Sequence, residues 1–191
     1  MNLLKRLIPV SILILFITGC GGKGNASFYL DQNTDFSFIK RVAVLPLDNN
    51  TNDKFAADAV RQVVISELLA SNLVEVVCPG DVNAALASLK VKSGDSPNSE
   101  HMKSLAKSLH VQGIILGSVN KYGEIREGNI SAPEVAITLM MADANSGSII
   151  WSVTKTKGGA GFMAKHFGAR ADTMSETVLN VVREAVQTLY H

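Results

Sequence analysis

The chain predicts an α/β fold, a mixed sheet with helices packed on it, in the order β-α-β-α-α-β-β-β-α. Three observations carry this. Short, nearly continuous apolar runs alternate with longer segments whose apolar residues recur at helical spacing. Two strand-like runs near the end, 133–142 and 148–156, are joined by the turn residues Asp143-Ala144-Asn145-Ser146-Gly147. A final amphipathic stretch then has an apolar stripe that needs a sheet to cover. Strands linked through helices imply a partly parallel sheet with right-handed crossovers, and the closing hairpin adds antiparallel edge strands.

Each element has its own justification. Residues 21–40 are polar and glycine-rich with scattered aromatics (Phe28, Tyr29, Phe36, Phe38), which reads as an extended arm. Arg41 to Leu47 (RVAVLPL) is apolar almost throughout and ends at Pro46, as a central strand buried on both faces would. Asp48 to Asn52 is turn chemistry, with Asn52 placed to cap the next helix. From Asp53 to Ser71, Ala56, Val60, Val64 and Leu68 form one stripe, with Lys54, Asp58, Arg61 and Glu67 off it. Leu73 to Val77 returns to strand character. Pro79-Gly80-Asp81 opens a helix to about Lys90, and Ser99 is placed to cap another with the stripe Met102, Ala106, Leu109.

Gly113 to Tyr122 (GIILGSVNKY) reads as a strand, followed by a polar connection from Gly123 to Ala132. After the hairpin comes a glycine-rich loop, Gly158 to Asp172. Thr173 with Glu176 makes the T-x-x-E capping box of the last helix, whose stripe is Met174, Val178, Val181, Ala185, Leu189. No internal repeat and no second domain are visible.

The N-terminus fixes the compartment. Lys5 and Arg6 precede an apolar run, Leu7 to Ile17, of signal-peptide length and too short for a permanent bilayer span. Ile17-Thr18-Gly19-Cys20 follows and resembles the lipobox of bacterial lipoproteins, in which the cysteine is lipidated and becomes the first mature residue. The alternatives are an ordinary cleaved signal peptide or a retained anchor. One acyl chain holds a protein weakly and two or more hold it firmly, at about 0.8 kcal/mol per buried methylene. Residues 1–19 are therefore expected to be a signal peptide, 20–40 a lipidated flexible arm, and 41–191 a single α/β domain. Gly21, Gly22 and Gly24 suit the lead between membrane and domain. No Asp follows Cys20, which by resemblance to enterobacterial sorting points to the outer membrane.

Size and charge exclude other classes. Of 191 residues, 172 remain after residue 19, enough for one domain with a real core. The 18 Lys+Arg against 17 Asp+Glu become 16 against 17 once Lys5 and Arg6 are gone, so the mature chain is no basic nucleic-acid binder. With Cys20 lipidated, Cys78 is the one remaining cysteine and no internal disulfide forms. Its place after Val74, Val76 and Val77 reads as a buried structural thiol, the alternatives being a reactive thiol or an intermolecular bridge.

Arg41-Val42-Ala43-Val44-Leu45-Pro46-Leu47-Asp48-Asn49-Asn50-Thr51 is similar to the opening strand and turn of the CsgG-like and PelC-like outer-membrane lipoproteins. Val111 to Val119 and Asp143 to Ser152 match in order downstream. The resemblance covers about residues 40–190 and implies the sheet-and-helix core shared with the TolB N-terminal domain. It also implies a homo-oligomeric ring that works with other export proteins in moving polysaccharide or curli-like cargo. The connection Gly123 to Ala132 carries Glu124, Arg126 and Glu127, too short and charged for the barrel hairpins of the pore-forming members, so no pore is expected from this chain alone.

Enzyme chemistry finds little footing. His101, His110, His166 and His191 are scattered without partner cysteines, so no metal site is expected, and no cofactor. Ser118 lacks the G-x-S-x-G frame of a hydrolase elbow, and the glycines 158–168 lack a Walker ending. Trp151 has two readings: a core residue, or an aromatic at a membrane or subunit contact. Phe162, Met163 and Phe167 are candidate contacts of the same kind, against simple packing on the last helix. The competing function is an LpoB-like lipoprotein that regulates a peptidoglycan synthase. The arm of about 20 residues, spanning at most roughly 70 Å, disfavours so distant a partner.

Overall fold

The structure, a computed structural model, describes residues 28–91, 97–127, 130–159, 170 and 172–190. It is α/β, as the sequence predicts. The strands are β1 (Phe28–Leu30), β2 (Arg41–Val44), β3 (Asp48–Asn49), β4 (Glu75–Val76), β5 (Gly113–Glu127), β6 (Ile130–Asp143) and β7 (Ile149–Gly158). The helices are α1 (Ala56–Ser71), α2 (Pro79–Ser88), α3 (Ser99–Leu109) and α4 (Met174–Gln187). One sheet runs β1-β7-β6-β5-β2-β4, with β3 pairing β5 off that path. β2 lies parallel to both β4 and β5, whereas β5, β6 and β7 are antiparallel.

Alternation along the central strands splits the core in two. Val42 and Val44 of β2 and Ile115 of β5 face α1 and α4, joining Val60, Val64, Leu68, Val181 and Val182 in one cluster. Their neighbours Ala43, Leu45 and Ile114 face α2 and α3, joining Val82, Leu86, Met102 and Leu105. Burial on both faces is why RVAVLPL is nearly continuous in apolar residues. The stripe Ala56, Val60, Val64, Leu68 is wholly buried.

Departures from the sequence-level expectations have local causes. The helix begins at Ala56 and not at Asp53. Asn49, Thr51 and Asp53 are engaged with one another, and Asp53 Oδ1 accepts from the Phe55 amide at 2.8 Å. Asn98, one residue before Ser99, caps α3 through the His101 amide at 2.9 Å. The Ser99 hydroxyl donates instead to the Ser146 carbonyl at 3.1 Å. Arg61, placed off the apolar stripe, is 7% exposed, and its Nε and Nη2 donate to the Val44 carbonyl at 3.2 and 2.7 Å. Burial lowers its pKa, and the nearby Asp58 charge opposes that shift.

Cys78 is exposed, not buried. Val77 donates its amide to the Val42 carbonyl and turns inward, so the next residue turns out, in the N-cap position ahead of Pro79.

Two larger differences shape the surface. Residues 28–40 are tied down. β1 pairs antiparallel with β7 (Phe28↔Val153, Leu30↔Trp151), covering the hairpin edge, and a 3-10 turn spans Phe36–Phe38. Leu30, Phe36 and Ile39 pack on the first core, burial that works against the ordering entropy of the segment. Secondly, the expected connection from Gly123 to Ala132 is itself strand at both ends. β5 and β6 stay in register from Glu124↔Pro133 to Glu127↔Ile130, beyond the last β7 partner at Glu134↔Gly158, so a two-stranded ribbon projects from the sheet.

The capping box of α4 is fully formed, with Thr173 Oγ1 accepting from the Glu176 amide and Glu176 Oε2 from the Thr173 amide. That backbone bond, with Arg170 Nη2 at 2.6 Å and the Thr173 hydroxyl, holds the Glu176 carboxyl at about 2, below its ordinary range. A depressed carboxylate contributes stability above its unfolded pKa and loses it as pH falls through its folded one. The Tm gap between the native chain and Glu176→Gln is therefore expected to shrink as pH drops from about 5 towards 2. Thermal scans across that window check it; a constant gap contradicts the ionic role.

Candidate functional site

Ile17, Thr18, Gly19 and Cys20 lie outside the described residues, as do Phe162, Met163 and Phe167. Trp151 does not. It is 0% exposed in the cluster between sheet, α1 and α4, and its Nε1 donates to Thr188 Oγ1 at 3.0 Å. The apolar body and the polar tip are both used inside this chain. Trp151 is therefore a core residue, correcting its candidacy as a membrane or subunit contact.

The motif that carries the family resemblance is scaffolding in this geometry. Asn49 Oδ1 accepts from the Thr51 amide at 3.0 Å and hydroxyl at 2.8 Å, while its Nδ2 donates to the Asp53 carbonyl at 2.8 Å. That closes the turn between β3 and α1. Asn50 Nδ2 donates to Asn120 Oδ1, Asn120 Nδ2 donates to Thr138 Oγ1, and Thr138 meets Thr154 at 3.1 Å. The result is a polar ladder across β5, β6 and β7, which the α2–α3 layer does not cover. Ser118 belongs to it, donating to Asn120 Oδ1 at 3.1 Å, which is no nucleophile's arrangement. His110 ends α3 in a left-handed conformation, and no group of three metal-ligating side chains occurs among the described residues.

What sequence reasoning missed is an apolar groove at the foot of the sheet, about 460 Å³ in volume. Met141 from the end of β6, Leu189 beyond α4 and Ile39 from the docked arm are the buried part of its lining. Phe36 from the same arm, Leu73 and Tyr190 also line it. Ser37, Lys40 and the Tyr190 hydroxyl are its polar groups, the last pushed up in pKa by burial. Large apolar side chains stand exposed around it: Phe38 is 75% exposed, and Leu73 and Tyr190 are also open. The available signal was Phe36 and Phe38 in an otherwise polar segment, and Leu73 after the helix. None of these is legible as a groove until the arm folds back.

No protein-family model and no curated protein sequence matches the chain. Its fold is that of several solved structures. A PelC-variant dodecamer from Paraburkholderia phytofirmans superimposes with a TM-score of 0.60 at 17% identity, over 87% of this chain and 98% of that one. Lipoprotein GNA1162 from Neisseria meningitidis gives 0.53 at 12%, over 78% and 99%. Protein CT253 from Chlamydia trachomatis gives 0.52 at 12%, over 79% and 95%. At these identities the likeness is one of fold.

Proposed function

We propose that this chain is a non-enzymatic lipoprotein of the bacterial outer membrane, facing the periplasm and anchored through Cys20, that assembles with copies of itself as a ring-forming component of an envelope export apparatus. The observation that carries this reading is the superposition on a chain of a PelC dodecamer over 87% of this chain and 98% of that one. The leader and Ile17-Thr18-Gly19-Cys20 support the anchor. No helix among the described residues is long and apolar enough to cross a membrane. Exposed Phe28, Phe38, Phe55 and Leu69 supply apolar surface of the kind that subunit contacts cover. Phe162, Met163 and Phe167 are proposed as further membrane or subunit contacts. The projecting ribbon extends only from Glu124 to Glu127 and from Ile130 to Pro133 beyond its β7 partner, against about nine to eleven residues per strand for a bilayer crossing. A protein that lines or guides a path fits this better than one that forms the pore.

Mass measurement of the detergent-extracted protein tests the assembly. A discrete high-order oligomer is expected, and a strict monomer at high concentration overturns the ring. Cys20→Ser tests the anchor by fractionation: the protein is expected to leave the membrane pellet, and retention there would mean that something else holds it.

A further inference from the structure

The groove described above has the chemistry of a site for a hydrocarbon chain. Its volume, about 460 Å³, falls within the range of small-molecule pockets. Such pockets hold polar ligands with a few convergent donors or charges. Here Met141, Leu189, Ile39 and Phe36 offer none, the Tyr190 hydroxyl is engaged by Ser71, and the polar groups Ser37 and Lys40 belong to exposed residues. A ligand that needs no orienting hydrogen bond, long and apolar, is what such walls select.

We infer that this groove holds one acyl chain of the lipid carried by Cys20 of the same polypeptide, while the remaining chains enter the bilayer; the inference rests on the lipid-anchor reading above. The length of chain outside the structure makes the connection. Leu30, the last residue of β1, is itself part of the groove wall. Cys20 lies eight residues before Phe28, a reach of up to about 28 Å. Phe28 lies at the end of β1 away from the groove and Leu30 at the end beside it, so the lead has that distance to recover. The return is about two strand residues, roughly 7 Å, a fraction of that reach. Gly21, Gly22 and Gly24 allow the return, having no Cβ to restrict the backbone. Exposed Phe38 and Leu73 continue the apolar surface outwards, giving a chain that enters the groove carbon to pass over beside Lys40. One chain seated here would tie the foot of the sheet to the anchor and set the tilt of the domain on the membrane. A bare lipid tether would leave that orientation free.

The test uses the intact lipoprotein in its own membrane. Cells are fed a photoactivatable palmitate analogue, irradiated, and the purified protein is mapped by mass spectrometry. Label at residue 20 with intramolecular cross-links at Leu73, Met141, Leu189 or Tyr190 is the expected result. Leu73→Glu, at an exposed position that folding does not need, is expected to lower those cross-links roughly tenfold by placing a charge at the apolar mouth. Label at residue 20 with cross-links only to phospholipid, or only to a second copy of the chain, overturns the groove assignment and leaves the anchor standing. An unlabelled residue 20 removes the anchor and this inference together.

Discussion

Trp151→Ala is expected to cost about 3–5 kcal/mol of folding stability, the usual toll for emptying the site of a buried aromatic. Trp151 is among the largest fully buried side chains, enclosed by residues of the sheet, α1 and α4. Its removal opens a void where α4 meets the sheet, so helix and strands would have to move together to refill it. The milder Trp151→Phe keeps a ring but loses the Nε1–H bond to Thr188 and some volume, for about 1–2 kcal/mol. Denaturant unfolding of the lipid-free chain measures both. Wild-type stability in the alanine variant, with assembly lost, would instead place the indole at a contact between molecules.

That experiment bears on how far the sequence could be read. Periodicity located the main strands and helices because burial, on both faces of the central strand and on one face of each helix, is written in residue type. Val42 and Val44 against Ala43 and Leu45, or Ala56 to Leu68, show this. Trp151 was ambiguous for the opposite reason. An indole suits a core and an interface equally, and only Thr188, 37 positions away, settles which. Arg61 looked like a solvated charge, since nothing local announces that the Val44 carbonyl awaits it. The arm was unreadable as structure because its three-residue strand is stabilised by β7, remote in the chain. Pairing of Glu124 to Glu127 with Ile130 to Pro133 was hidden by the charges of Glu124, Arg126 and Glu127. The groove needs the arm, the segment after α1, β6 and the C-terminus at once. No window of sequence contains it.

Gly117→Ala is expected to destabilise the chain by about 3 kcal/mol, at the upper end of overpacking effects. Gly117 sits in the interior of β5, opposite Leu139 of β6. A methyl group there would overlap the Thr138 carbonyl oxygen and come within 3.0 Å of Leu139 Cα. Backbone atoms of a paired strand cannot swing aside as a side chain can. Relief therefore means parting β5 from β6 or bending one of them, with loss of ladder bonds and disturbance of the polar ladder through Thr138. Gly123 supplies the control in the same strand. A Cβ there meets nothing within 4 Å, so Gly123→Ala is expected to be neutral or to stabilise by up to about 0.5–1 kcal/mol through the lost backbone freedom of the unfolded chain. Denaturation midpoints of the two variants, measured side by side, separate steric exclusion from any general cost of alanine in β5. Equal midpoints would mean that β5 and β6 do not approach as closely at Gly117 as the register requires.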